Sequence, residues 1–389
     1  RPARLLSLTD SAKIERTNLH PRPMMISKLV RKARTLTDTL HDFYREPLAS
    51  FVALEKGLED RRQPVAPELV SRVISAYEAA KHDQQTASAE YRANGEWTTL
   101  IEAKLKAFRD RGSMGEVLGS FFRNEDAFVG LSDYATPPYL KPRRNLMTRV
   151  LFVNSMLHDY RAWCELTGKK IEAIRAPWAG NPFGYFIDGT LAVPASFRHH
   201  YTAEKAVSLM NGRGTVAEIG GGWGDVGFFA LGFPDVHYLD IDLPEILLLA
   251  SYWLCSTRPD RKIALYGEHD PSIVLANMEN YDAILFPNFC FPLLPKDSVD
   301  VFVNTHSLSE MRPETIAEYL GQIARTCRRY FLHENSDKPY HTLGHTEIPA
   351  SSFSIEGFRL LNKAMSPWKA GGGRYREFLY ERITPSSTE

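Results

Sequence analysis

The segment Glu218-Ile219-Gly220-Gly221-Gly222-Trp223-Gly224 constrains this chain more than any other part of it. It follows the short run Val216-Ala217-Glu218-Ile219, which reads as a strand, and Asp225-Val226 continues it toward a helix. Glycines this dense at the end of a strand let the backbone turn tightly, adopt positive φ and pass close to a ligand. A strand, a glycine turn and a helix in succession belong to α/β architecture, in which helices cover a mostly parallel sheet.

The rest of the C-terminal half keeps that rhythm. Val236 to Ile241, Lys262 to Tyr266, Ala283 to Phe286, Asp300 to Asn304 and Tyr330 to His333 read as strands. Leu243 to Leu254 reads as a helix, and Pro313 opens another that runs to about Thr326. Phe358 to Asn362 and Glu377 to Ile383 close the sheet. The expected fold is α/β: a Rossmann-like, doubly wound, mostly parallel sheet preceded by a largely helical N-terminal domain.

Upstream, Met25, Leu29, Ala33, Leu36, Leu40 and Phe43 recur at three- and four-residue steps, the spacing of one helix face. Leu69 to Tyr77 repeats the pattern after Pro67, Trp97 to Phe108 repeats it again, and a longer helix starts near Leu146 and runs to about Leu166. Between Arg175 and His200, Pro177, Gly180, Asn181, Pro182, Gly184, Gly189 and Pro194 punctuate a stretch carrying Trp178, Phe183, Tyr185 and Phe186. It reads either as an aromatic lid over a sugar or as a covered connector. The expected organisation is a helical domain over 1–170, a connector or lid over 171–197 and a nucleotide-binding domain over 198–389.

Equal numbers of basic and acidic residues, 47 each, create no global field favouring nucleic acid or an anionic membrane. Cys164, Cys255, Cys290 and Cys327 are far apart and form no CxxC, so neither a zinc site nor a disulfide framework is expected and a cytoplasmic setting is the default. The richest apolar run, Ile246 to Leu254, is too short to span a bilayer. The N-terminal helices offer a surface for a homo-oligomer. The chain begins at Arg1 rather than Met, which leaves room for a preceding segment.

The glycine segment fits two registers. Gly222-Trp223-Gly224-Asp225-Val226-Gly227 matches GxGxxG, the dinucleotide pattern, and Glu218-x-Gly220-x-Gly222-x-Gly224 matches the acid-led ExGxGxG of S-adenosylmethionine enzymes. The second places Gly220 as the first turn residue and Glu218 at the strand end, where an acid can hold an amino group and would repel a pyrophosphate. Gly221 and Trp223 complete this cofactor loop. Asp242, before Leu243-Pro244, is the first choice for the ribose hydroxyls, about twenty residues beyond the glycines, with Asp240 as the alternative. Glu268, in Tyr266-Gly267-Glu268-His269, is a candidate near an adenine ring.

Chemistry is expected beyond the carboxyl ends of the strands. There, Asn304 is placed to touch cofactor or acceptor, and His306 to act as general base for a hydroxyl. Glu310 is placed to orient that imidazole or to be the base itself. His199, His200 and Tyr201, ahead of the helix leading into the glycine loop, are candidate substrate contacts, as is His333 in the rival cluster His333-Glu334-Asn335. Trp368 to Arg376, with Gly371-Gly372-Gly373, is a hairpin candidate bordering the acceptor. No acidic cluster supplies the oxygen ligands magnesium needs, so no metal is expected.

From Phe197 onward the chain resembles a bacterial family of sugar O-methyltransferases. The resemblance is carried by Glu218 to Gly224, Asp240-Ile241-Asp242-Leu243-Pro244-Glu245, Val303 to Met311 and Tyr375-Arg376-Glu377. The Asp-Leu-Pro step also resembles small-molecule O-methyltransferases of the plant type, which implies that Asp242 holds the ribose. The resemblance implies S-adenosylmethionine as cofactor and a sugar hydroxyl, on a glycan or glycosylated metabolite, as acceptor. Three other functions compete: a methyltransferase for a phenol or polyketide hydroxyl, a nicotinamide oxidoreductase using the overlapping GxGxxG, and a non-catalytic cofactor-binding module.

Overall fold

The computed structural model describes residues 55–57, 59–93, 98, 101, 114–123, 146–193, 195–339, 341–342, 345–346, 348–368 and 373–383. The apolar stripe from Met25 to Phe43 lies outside them, as does most of the stripe from Trp97 to Phe108.

Strands β1 (Glu55–Gly57), β2 (Gly184–Ile187) and β3 (Thr190–Ala192) form a small antiparallel sheet in that order. The stretch punctuated by glycine and proline is therefore a covered hairpin. Phe183 and Tyr185 are buried in the main apolar core, and the Arg61 guanidinium lies 4.5 Å from the Trp178 ring centre.

The central sheet is built from β4 (Arg213–Ile219), β5 (Asp235–Asp242), β6 (Ile263–Leu265), β7 (Ala283–Pro287), β8 (Val299–Thr305) and β9 (Cys327–Ser336). A two-residue-per-strand hairpin, β10 (His341–Thr342) and β11 (His345–Thr346), separates them from β12 (Phe358–Met365) and β13 (Tyr375–Arg382). The spatial order is β12-β13-β9-β8-β4-β5-β7-β6. The run from β9 to β6 is parallel throughout, and β13 and β12 add an antiparallel edge. From β4 the chain winds one way through β5 and then the other way to β8 and β9, so the switch point lies between β4 and β8, the place where open α/β sheets bind ligands. One feature departs from simple winding: β7 lies between β5 and β6, leaving β6 at the edge.

Alternation along each strand divides the apolar residues between two cores. Val216, Tyr238, Leu285, Val301 and Val303 enter one, and Ala217, Ile219, Leu239, Ile241, Ile284 and Phe302 enter the other. The first core is covered by α1 (Pro67–Asp83), α2 (Met114–Leu118), α3 (Leu146–Thr167), α4 (Ser196–Leu209), α5 (Asp225–Ala230) and α6 (Pro244–Thr257). The second is covered by α7 (Pro271–Ala276) and α8 (Pro313–Thr326). Helices on both faces of a mostly parallel sheet make this a Rossmann-like, doubly wound α/β fold.

Several helices start where their sequences say they should. α1, α6 and α8 each carry proline in the first turn, where the missing N–H costs nothing, followed by Glu68, Glu245 and Glu314 at the positive end of the helix. α8 buries Ile316, Tyr319, Leu320 and Ile323, a one-sided stripe that turns Tyr319 toward the strand ends. α1 and α3 contribute Val73, Ala76 and Trp163 to the same core as the sheet.

Candidate active site

Each parallel strand delivers its last residues to one rim. Glu218 pairs in register with Asp240, Ile219 with Asn304, Thr305 with Glu334 and Asp242 with Pro287. Beyond the rim lies a cavity of about 210 Å³, whose wall includes Glu218, Gly220, Gly221, Gly222, Trp223, Asp242, His199, His306 and Glu310. Nine of the residues singled out in the sequence thus converge on one space.

The glycine loop shows why its residues lack side chains. Gly220, Gly222 and Gly224 have φ of 73°, 62° and 83°, a region that costs other residues strain. A Cβ on Gly220 would fall 2.4 Å from Ser307 Oγ, and one on Gly221 would fall 2.6 Å from Asp240 Oδ1. Around Gly222 nothing lies within 4 Å of that position, so its backbone borders open space.

Glu218 is fully buried and accepts a 2.6 Å hydrogen bond from the Tyr238 hydroxyl. Burial pushes its pKa up to about 8, against the opposing pull of that hydroxyl. Asp242 closes the loop from the other side, accepting from the Gly222 N–H at 3.2 Å and from the Leu243 N–H at 2.7 Å. Burial raises its pKa to about 7, while the two amides pull it down. A carboxylate has lone pairs beyond those two, so Asp242 keeps acceptor capacity toward the cavity.

Asp240 takes a different role from the one expected. It is wholly buried beneath Gly221 rather than in the cavity wall, and neither carboxyl oxygen completes a hydrogen bond. Burial and the neighbouring Asp242 and Glu218 hold its pKa well above the ordinary value. Asn304 is also a strut. Its amide donates to Ile219 O at 2.7 Å and to Ser307 Oγ, and its carbonyl accepts from Leu308 N at 3.3 Å and Asn335 Nδ2 at 2.7 Å. With these bonds made, it ties the glycine turn to β8 and β9 and has little left for a ligand.

His306 stands just past β8 with φ of 68°, unusual for a residue with a side chain. Glu334 holds it twice: its carbonyl accepts from the His306 N–H at 2.7 Å, and its carboxylate lies 2.8 Å from Nε2. With Nε2–H donating to Glu334, Nδ1 carries the ring's lone pair, with Arg198 Nη1 3.5 Å away. Tyr375 stacks on the ring at 4.0 Å, so the C-terminal hairpin does border this end of the site. Burial and the Arg198 guanidinium, 3.2 Å from Nε2 and 3.5 Å from Nδ1, lower the His306 pKa to about 4, against the pull of Glu334. Burial works against ionisation of Glu334, but His306 and Arg198 outweigh it and keep the carboxyl below its usual value. The orienting carboxylate is therefore Glu334. Glu310, expected in that role, lies on the cavity wall at the end of the turn Leu308–Glu310.

Arg198 and His199 come from the buried first turn of α4. His199 Nδ1 lies 3.0 Å from Asp225 Oδ2, its Nε2 lies 3.3 Å from Arg198 Nη2, and its ring meets Trp223 edge-on at 5.0 Å. Burial lowers its pKa, although Asp225 opposes the shift. The other residues expected at the acceptor point elsewhere. His200 Nδ1 accepts from Trp163 Nε1 at 3.2 Å in the core, and Tyr201 packs on Trp368 and accepts from Lys205 Nζ at 3.1 Å. His333 is a core residue stacked at 4.7 Å on Phe378, one strand position away from Glu334 and so on the opposite face. Burial lowers its pKa to about 3. Glu268 is clamped by Arg72, at 2.6 and 3.0 Å, and accepts from Leu265 N. It anchors α1 to the edge of the sheet and does not line the cavity.

Among the cavity residues that the sequence reading passed over are Arg198 and Asn288. Arg198 was adjacent to residues that were chosen, and an arginine in the first turn of a helix, where the dipole disfavours a cation, was the available signal. Asn288, just after β7, lines the cavity beyond Asp242. It is buried, donates from Nδ2 to the Tyr319 hydroxyl at 2.9 Å, and leaves Oδ1 without a partner. Among the described residues, no group of three or more His, Cys, Asp or Glu is arranged to hold a metal ion, and no helix is long and apolar enough to cross a membrane.

No family model matches the chain, and no curated protein matches its sequence. Among solved structures it is similar to the mitomycin 7-O-methyltransferase MmcR, at 15% identity and a TM-score of 0.34 over 63% of this chain and 70% of that one. It is also similar to a SAM-dependent methyltransferase from Aquifex aeolicus, at 15% identity and a TM-score of 0.30 over 49% and 94% of the two chains. The methyltransferase CalO6 overlaps at 16% identity and a TM-score of 0.31 over 43% and 56%. Likenesses this partial decide nothing about reaction or acceptor, which have to be argued from the cavity.

Proposed function

We propose that the cavity is the site of an S-adenosylmethionine-dependent enzyme. The residues present suit that cofactor. Glu218 offers a buried acid for an ammonium group, Asp242 spare carboxylate lone pairs for ribose hydroxyls, and Asn288 an unpaired carbonyl for an exocyclic amine. The open space at Gly222 leaves its backbone accessible. A dinucleotide would bring pyrophosphate against Glu218 and Asp242, two acids that offer it no countercharge.

Within that class, the reading best supported is O-methyl transfer to a hydroxyl. The single observation that carries it is that an oriented imidazole, His306 on Glu334, faces the same cavity as Glu218 and Asp242. When bound, S-adenosylmethionine supplies a methyl group on a positively charged sulfur, an electrophile that needs little further activation. The chain's task is then to align an acceptor and remove its proton. The acceptor O–H would donate to His306 Nδ1, which would take the proton as the acceptor oxygen becomes the nucleophile toward that methyl group. Glu334 keeps the proton-bearing Nε2 in place and balances the charge that appears on the ring, the role a carboxylate plays behind a catalytic histidine. Tyr375 stacks on the imidazole and Trp223 walls the cavity beside the glycine turn. A sugar hydroxyl is the proposed acceptor, on the strength of the family resemblance carried by Glu218 to Gly224 and Val303 to Met311.

Calorimetric titration with S-adenosylhomocysteine and, separately, with reduced nicotinamide dinucleotide tests the class. Micromolar-scale binding of the first alone is expected, and binding of the second alone would refute it. Transfer of labelled methyl groups to a panel of glycosides tests the reaction. Label appearing only on nitrogen or carbon acceptors would refute O-methylation.

A further inference from the structure

Gly227 ends the stretch Gly222-Trp223-Gly224-Asp225-Val226-Gly227, and the cofactor loop accounts only for the glycines before it. It lies inside α5, where glycine weakens a helix. A Cβ there would fall 2.4 Å from Tyr238 Cε1 and 2.7 Å from Cδ1. The missing side chain is therefore the slot against which the Tyr238 ring packs. Tyr238 stands on β5, 1% exposed, and shares a sheet face with Glu218, whose register partner Asp240 lies two residues further on. From the slot the ring carries its hydroxyl to Glu218 Oε2 at 2.6 Å. That length lies within the range of an O–H···O⁻ bond, about 2.5–2.7 Å. Burial, Asp240 and Glu218 raise the phenol's pKa well above its ordinary value, so the hydroxyl keeps its proton and donates.

Glu218 has need of such a donor. The charged groups around it are Asp240 and Asp242 on β5, Asp225 at the start of α5 and Arg198 on α4, three acids against one cation. Burial and the acids oppose the negative charge that a bound ammonium group requires. A further cation in place of the phenol would stabilise that charge but also neutralise it. A phenol stabilises the carboxylate and leaves its charge whole for a ligand. Tyr238 engages Oε2, which leaves Oε1 for that ligand.

We propose that Tyr238 is the positioning residue for the amino-acid end of the cofactor: seated against Gly227, its hydroxyl fixes Glu218 for the ammonium group and supports the carboxylate's charge. This rests on the S-adenosylmethionine reading. It also gives the last glycine of the GxGxxG pattern a task that involves no pyrophosphate.

The test uses the full chain and calorimetry with two probes, S-adenosylhomocysteine and methylthioadenosine, which keeps the nucleoside and a thioether but lacks the amino-acid end. At about pH 7, Tyr238→Phe should weaken S-adenosylhomocysteine binding by about tenfold and leave methylthioadenosine within about twofold. In the Glu218→Gln background the same substitution should change little, because the charge that the hydroxyl serves is gone. The affinity of Tyr238→Phe for S-adenosylhomocysteine should go on rising past about pH 8, where the wild type levels off. Unchanged affinity, an equal loss for both probes, an undiminished loss on Glu218→Gln, or a pH profile like that of the wild type overturns the inference while leaving the cofactor assignment standing. Should Tyr238→Phe not fold, Gly227→Ala, which displaces the ring instead, should show the same selective loss, and equal weakening of both probes there overturns the inference. Failure of the wild type to bind S-adenosylhomocysteine sinks the cofactor reading and this inference together.

Discussion

Cofactor affinity should depend steeply on pH, through Glu218. Its carboxyl, held at about 8 by burial, is mostly protonated at neutrality in the ligand-free protein. A bound ammonium group demands the ionised form, so below about pH 8 each unit of pH should change the affinity by close to tenfold, about 1.4 kcal/mol. From pH 6 to 7 the dissociation constant of S-adenosylhomocysteine should fall by roughly tenfold, from pH 7 to 8 by about fivefold, and then level off. Near pH 7, binding should release about one proton. Calorimetry in two buffers of different ionisation enthalpy measures both quantities. Glu218→Gln should bind more weakly and lose the slope and the proton release. A wild-type affinity that stays flat between pH 6 and 8, or an unchanged slope in the variant, would refute the pairing of Glu218 with the ammonium. Without ligand the sign reverses. A carboxyl whose folded pKa is raised from 4.5 to about 8 stabilises the fold fully below about pH 4.5 and loses that contribution as pH rises through 8. The loss is on the order of 5 kcal/mol, and chemical denaturation across that window should show the wild type losing more stability than Glu218→Gln by about that amount, the loss due to Asp242 being common to both.

Three further outcomes are expected. Asp242→Ala should weaken S-adenosylhomocysteine binding by more than about tenfold, and it should cost roughly 1–3 kcal/mol of stability because the Gly222 and Leu243 amides lose their acceptor. Unchanged binding in calorimetry removes Asp242 from the site. His306→Ala should lower kcat severely with cofactor affinity nearly intact, and Glu334→Gln should lower kcat by up to about 10⁴-fold with little change in KM, as read by steady-state kinetics. Full activity in either variant excludes the dyad. His333→Phe should leave turnover unchanged and flatten the acid side of the stability profile. A buried imidazole depressed from 6.5 to about 3 favours the fold above about pH 6.5 and loses that contribution as pH falls toward 3, so thermal unfolding from pH 7 to 4 should separate the two proteins.

The parts of the site that were legible in the sequence are the local ones. Glu218, the glycines and Asp242 announce themselves because a strand, a turn and an acid at a strand end are set by a few consecutive residues. Asp240 and Asp242 share a strand face by alternation, so sequence alone offers both. Only the position of Gly221 directly over Asp240 shows which one is sealed away. His306 and Glu310 were read as partners because they are neighbours in the chain. The partner of His306 is in fact Glu334, 28 residues on, and it arrives only because β9 lies beside β8. Asn288 depends likewise on β7 lying next to β5, an arrangement no periodicity encodes. The glycines and prolines of the connector left lid and covered connector equally open and hid its strands: Gly184 opens one, and its hydrogen is needed where a Cβ would fall 1.9 Å from Ala192 O.

The two holds that Glu334 has on His306 carry one more implication. The main-chain bond extends the β8–β9 ladder by a single rung past the strand, and the side-chain bond closes over it. Base and acid are therefore indexed to each other by the pairing of two central strands, as teeth are by a gear. A slip of one residue in that pairing would turn Glu334 to the opposite layer and bring His333 or Asn335 into its place, so substitutions deep in β9 that never approach a substrate can still silence the enzyme.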